Sequence, residues 1–174
     1  MSVRFELDPA VTPEVRDGIR ALWADVANAG GAVGLVPPVT PEDVRPDLVR
    51  HLVALTEGRE RLLIGRDADG RVVATAFLTL NWHRMSTHWL WVYTVMVHPD
   101  LQGRGVGRAL MAAVADAARG LDDIIGLRLT CRGGTGLRRF YESCGYQEIG
   151  RAPRAIKLAD GDFRDDITMW LDLA

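Results

Sequence analysis

At 174 residues the chain fits one domain, since domains usually run to about 100–200 residues. With 48% hydrophobic and 25% charged residues it can bury a core, which excludes a disordered chain, and a net charge of −2 offers no general affinity for nucleic acid or an anionic membrane. No apolar run approaches the roughly 20 residues of a spanning helix, and the opening MSVRFELDPAVTPEV lacks the basic and apolar regions of a signal peptide, so a cytoplasmic protein is expected.

Residues 3–7 alternate apolar and polar side chains as a strand does. Thr12-Pro13-Glu14 then predicts a helix start, with Thr as N-cap and Pro in the first turn. Val15, Ile19, Leu22, Trp23 and Val26 give that helix one apolar face, and Ala29-Gly30-Gly31 stops it. The loop 31–41, containing GAVGLVPPVT, is poor in polar residues and is expected to pack on something. A second helix is predicted from Pro41 to about Glu57, with Val44, Leu48, His51/Leu52 and Leu55 on one side. Strands follow at 61–66 and 71–80 around the Asp67-Ala68-Asp69-Gly70 turn. Trp89–Val97, WLWVYTVMV, is almost wholly apolar and predicts a central strand buried on both faces. Val106, Leu110, Val114 and Ala117 predict a helix ending at Gly120. A short strand at 127–131, a helix at 136–143 ended by Gly145, and strands at 146–157 and 167–173 close the chain. The order β-α-α-β-β-β-α-β-α-β-β predicts an α/β fold with a sheet of mixed direction in one domain, 1–174. Cys131 and Cys144 form no CxxC motif and read as two reduced, mostly buried thiols; no cluster suggests a metal site.

The stretch VHPDLQGRGVGRAL, residues 97–110, places three glycines between a buried strand and a helix. Such a turn presents free backbone N–H groups at a helix N-terminus, where the dipole favours an anion and the absence of Cβ atoms lets a phosphate come close. Arg104 and Arg108 add guanidinium donors. The dinucleotide fingerprint G-x-G-x-x-G fails because Arg108 stands at its third glycine. The triphosphate loop fails because no Lys and Ser/Thr follow Gly107.

The pattern that fits is Gln102-Gly103-Arg104-Gly105-Val106-Gly107, Q-x-x-G-x-G, which resembles the acyl-CoA pyrophosphate loop of the GNAT superfamily of N-acetyltransferases. VMVHPD before it and Phe140-Tyr141-Glu142-Ser143-Cys144-Gly145-Tyr146 after it are similar to that family's lead-in strand and tyrosine segment. The resemblance covers nearly the whole chain and implies a single-domain GNAT-like fold, a mixed, mostly antiparallel β-sheet flanked by helices. It implies an enzyme, an acetyl-CoA-dependent N-acetyltransferase working by direct attack in a ternary complex. On the same ground, the backbone of Val95, Met96 and Val97 would hold the pantetheine arm. Gln102, Gly103, Arg104, Gly105, Val106, Gly107 and Arg108 would hold the pyrophosphate, and Tyr141 would protonate the departing thiolate as general acid. No metal is called for.

Two departures from the family pattern stand out. Val92-Tyr93-Thr94-Val95 carries no carboxylate where many relatives have an acid that serves as base. Arg132-Gly133-Gly134-Thr135-Gly136 lacks the asparagine that many relatives place ahead of the tyrosine helix. The base therefore stays open among His83, His88, Glu60, Asp162 and water. Trp82, Trp89, Trp91 and Tyr93 read as core and pocket wall, or as a surface for a cationic acceptor. The acids Asp160, Asp162, Asp165 and Asp166 read as a solvated turn, or as an attractor for an amine. GGAVGLVPPVT, GGTGLRRFYESCGY and GDFRDDITMWLDL resemble a bacterial subgroup related to tabtoxin-resistance acetyltransferases. That implies a small-molecule amine acceptor; a protein or peptide N-terminus and a non-catalytic acyl-CoA sensor are the alternatives. No nucleic-acid or membrane partner is expected. Many relatives are homodimers, but no exposed stripe in the sequence establishes one.

Overall fold

The computed structural model describes residues 3–174. Its elements follow the predicted order: β1 (Arg4–Leu7), α1 (Pro13–Asn28), α2 (Pro41–Thr56), β2 (Glu60–Arg66), β3 (Val72–Leu80), β4 (Trp89–Val97), α3 (Val106–Arg119), β5 (Gly126–Arg132), α4 (Leu137–Glu142), β6 (Gln147–Ala159) and β7 (Asp162–Asp172). The helix starts are those the caps dictate. Thr12 Oγ1 accepts from Val15 N at the head of α1, and Thr40 and Asp43 form a reciprocal capping box at the head of α2.

The seven strands form one sheet in the order β1-β2-β3-β4-β5-β7-β6, antiparallel at every pairing except β4 with β5. Side-chain alternation divides the core into two layers. On one face α1 and α2 cover Leu62, Ile64, Phe77 and Met96. On the other, α3 and the Tyr141–Tyr146 segment cover Ala74, Leu78, Leu90, Val92, Leu127 and Leu129. The loop 31–41 packs as its composition predicts. Trp23 Nε1 donates to Val33 O (2.9 Å), and Asn28 exchanges two hydrogen bonds with Val39.

Two expectations need correction. Strand β4 is central but not buried on both faces: Leu90 and Val92 are enclosed, whereas Trp89 and Trp91 are half-buried and Tyr93 is exposed. Tyr93 lines an open cleft there, and Trp91 stacks on the Tyr93 ring at 5.5 Å. Strand β7 begins at Asp162, five residues before the apolar run at Ile167. Its polar start is held by pairing with β6, whose irregular stretch at 153–155 is pinned by Asp165. That carboxylate accepts from Arg154 N (3.1 Å) and from an Arg151 guanidinium N–H (2.9 Å).

Candidate active site

Parallel pairing between β4 and β5 lasts only for Trp89–Trp91 against Gly126–Arg128. Beyond it the strands diverge, so one edge of Val92–Val97 and one edge of Leu129–Arg132 are left without a strand partner. The gap opens into a continuous cleft of about 1340 Å³. Along β4 the N–H of His98 donates to Val73 O on β3 (2.8 Å). Since backbone groups alternate sides along a strand, the N–H groups of Val97 and Val95 aim into the gap.

At one end of the cleft lies the glycine loop. Gly105 caps α3 at φ 84°, a left-handed conformation that a Cβ would strain. A Cβ on Gly107 would stand 3.1 Å from the Phe140 ring, so this glycine lets α3 approach α4. The N–H groups of Val106, Gly107 and Arg108 begin the helix and have no intrahelical carbonyl to meet. The Nε2 of Gln102 donates to Val97 O (3.0 Å) and ties the loop to the end of β4. Of the residues singled out in the sequence, Val95, Val97, Gln102, Gly103, Gly105, Gly107, Arg108 and Tyr141 line the cleft. Met96, Arg104 and Val106 do not. The Met96 side chain is buried under α1 and α2, Val106 packs against the core, and Arg104 is exposed.

Tyr141 is 6% exposed, set edge-on to Phe140 (5.1 Å between centroids) and to Tyr146 (5.8 Å). Burial pushes its phenol far above the ordinary range, with smaller contributions from Cys131 and Cys144. It is therefore a neutral hydrogen-bond donor at any physiological pH. Burial also drives the Cys131 thiol up to about 11, as suits a wall residue and not a nucleophile. Both cysteines are unpaired with each other, as read from the sequence.

The cleft's other end holds a polar group the sequence reading largely missed. His51, on the inner side of α2, places Nδ1 2.7 Å from Glu60 Oε2 and Nε2 3.3 Å from Thr94 Oγ1. Thr79 Oγ1 donates to the other Glu60 oxygen at 2.9 Å. The imidazole stacks on Phe77 (4.1 Å, 20°) and tilts against Trp23 (6.0 Å). Thr94 sits at φ 51°, where Ala76 alone opposes Thr94 and Val95. A β-branched residue in that region costs about 1–3 kcal/mol and persists only where its surroundings over-determine it. The hints in the sequence were Glu60 among the base candidates and a histidine on an otherwise apolar helix face.

Among the base candidates named from the sequence, Glu60 alone reaches the cleft. His83 and His88 lie on the exposed turn that also carries Trp82, which is 91% exposed. Asp162 pairs with Arg164, Asp165 with Arg151, and Asp160 with Lys157, so these acids serve the β6–β7 hairpin. Trp89 and Trp91 present their faces to the protein's own Arg128, 5.5 and 4.6 Å away, which occupies the surface considered for a cationic acceptor.

The described fold can be set beside known proteins. Residues 35–146 match the family model described as the acetyltransferase (GNAT) family, and the chain belongs to that family. A stretch of 65 residues is 43% identical to mycothiol acetyltransferase of Clavibacter michiganensis subsp. michiganensis, but it spans 36% of this chain and only 20% of that protein. Two solved structures superpose over nearly their whole length. One, provisionally named a phosphinothricin N-acetyltransferase, is 22% identical, with a TM-score of 0.77 and 99% of both chains covered. The other is the spermidine N-acetyltransferase of Vibrio cholerae in complex with CoA and spermine, 17% identical, with a TM-score of 0.73 and 97% and 95% covered. At these identities the two structures establish the fold.

Proposed function

We propose that the protein moves an acetyl group from acetyl-CoA to a primary amine of a small molecule, by direct attack within a ternary complex. The observation that carries the reading is the single cleft running from the α3 N-terminus, through the β4–β5 gap, to Tyr141. The amides opening α3, with Arg108, suit a pyrophosphate. The inward N–H groups of Val95 and Val97 suit a pantetheine arm lying in the gap as a strand would. They also offer donors for the oxyanion that forms on the thioester carbonyl. Tyr141, a neutral phenol lining the same cleft, gives its proton to the leaving sulfur. The acceptor end is roofed by residues 31–34 and α2, which favours a small amine over a protein tail. The spermine held by the Vibrio cholerae relative and the name of the phosphinothricin relative agree with that size.

The test is a thermal-shift comparison of acetyl-CoA, ATP and NAD, followed by thiol release with phosphinothricin, spermidine and a wider amine panel. Acetyl-CoA at about 100 times its Kd should stabilise the fold by about 2.7 kcal/mol, a rise of about 5–10 °C. ATP and NAD should do less. Binding without thiol release on any amine would make the protein an acyl-CoA sensor, and no response to acetyl-CoA would end the acyl-transfer reading.

A further inference from the structure

We propose that His51, held by Glu60, is the general base that takes the proton of the acceptor ammonium. The inference rests on the acetyl-transfer reading and supplies the role that the missing β4 carboxylate leaves open. Glu60, Thr79 and Trp91 lie in one register row across β2, β3 and β4, on the face that α2 overhangs. An acid on β2 thus stands at the cleft in place of one on β4, and the imidazole bridges the remaining distance.

The geometry sets the tautomer. A carboxylate oxygen 2.7 Å from Nδ1 takes that nitrogen as a donor, which leaves the Nε2 lone pair as acceptor. Thr79 occupies the second Glu60 oxygen, so the carboxylate is fixed as well. Nε2 points to the Thr94 hydroxyl, a contact of 3.3 Å that an incoming ammonium can replace. Stacking on Phe77 holds the ring plane. Imidazole and carboxylate are 17% and 8% exposed, and burying such a pair is costly beside an apolar pair of the same volume. Its placement at the cleft wall gives that cost a use.

The protons balance as follows. The ammonium gives one proton to His51 Nε2, and the free amine attacks the thioester carbonyl carbon. The C–N bond forms as the carbonyl π-bond opens. The C–S bond then breaks, the thiolate takes the Tyr141 proton, and the second nitrogen proton restores the phenol. The imidazolium, facing Glu60, returns its proton to solvent. The charged or titratable groups sharing the cleft with His51 at this end are Glu60 at the start of β2, Arg59 just before it, Tyr93 on β4, and Asp47 and Arg50 on its own helix. Trp23, Phe77 and Thr79 carry no charge.

The test compares wild type, His51→Gln and Glu60→Gln, with spermidine and phosphinothricin as probe acceptors at saturating acetyl-CoA. Acetyl-CoA binding, read separately by thermal shift, should be unchanged in both variants. His51→Gln should lower kcat about 10²–10⁴-fold near neutral pH. The gap to wild type should narrow as pH rises, because solution then supplies free amine; a merely structural role would cost the same at every pH. Glu60→Gln should cost less, since the imidazole remains but loses its orientation. Imidazole NMR with labelled histidine, assigned through His51→Gln, should show His51 protonated on Nδ1 in the wild type and a mixed tautomer in Glu60→Gln.

His51→Gln within threefold of the wild type at all pH values would overturn the proposal and leave acetyl transfer standing. An acetyl adduct on Thr94 after acetyl-CoA alone would overturn both this proposal and direct attack in a ternary complex, while leaving acetyl transfer itself standing. If neither probe is acetylated, the NMR decides: an Nε2-protonated His51 overturns the proposal. A wild type that binds no acetyl-CoA removes the parent reading with it.

Discussion

Burial among Phe140, Tyr146 and the cleft wall holds the Tyr141 hydroxyl in its protonated form. Its replacement by Phe keeps the packing and removes only the donor. Tyr141→Phe should therefore lower kcat by about 10²–10³-fold while leaving acetyl-CoA affinity within about twofold, as steady-state kinetics and calorimetry would read. A loss of affinity with unchanged kcat would instead make the tyrosine a binding residue. Its place at the cleft was legible beforehand because a motif surrounds it. His51 had no such frame: at helical spacing beside Leu48 and Leu52, a cleft histidine and a core histidine look alike until Glu60 and Thr94 arrive from other strands.

Helix α2 brings His51 to the cleft, and its start is held locally. Thr40 N donates to Asp43 Oδ2 (2.8 Å), and Asp43 N donates to Thr40 Oγ1 (3.3 Å). Thr40→Ala breaks one arm of this box and should cost about 1 kcal/mol. For a chain of this size that lowers Tm by about 2–4 °C, measurable by calorimetry, with little change in kcat because later turns still pack on β2 and β3. No change in Tm would mean that tertiary packing alone sets the helix start. Elements of this kind were readable in the sequence because caps, turn glycines and apolar periodicity are local. The early start of β7 was not, because Asp162–Asp166 gains its strand conformation from β6 and the Asp165 contacts.

At the scale of the whole molecule, Tyr141, Tyr146 and Cys131 are, among the described residues, buried acids raised by desolvation, the last from an ordinary 9.0 to about 11. Each is neutral in the folded state where the unfolded chain would ionise it. The sign follows from linkage: their contribution is fully present below the unfolded values, about 9–10, and is lost as pH rises through the folded ones. Stability in urea should hold from neutrality to about pH 9 and fall steadily toward pH 11. Cys131→Ser should blunt the first part of that fall, at some cost in packing, and a profile flat to pH 11 would contradict the burial of all three.

The amino-acid sequence alone determined the order of elements, the α/β class, and the glycine loop at the head of α3; the mostly antiparallel sheet was implied by the family resemblance. The first three depend on backbone preferences and periodicities within a few residues. The β4–β5 divergence, Arg128 over Trp91, and the meeting of His51 with Glu60 and Thr94 were decided only by the tertiary structure. Such contacts depend on strand order and register, which place residues far apart in the chain on one face, and no local pattern encodes that distance.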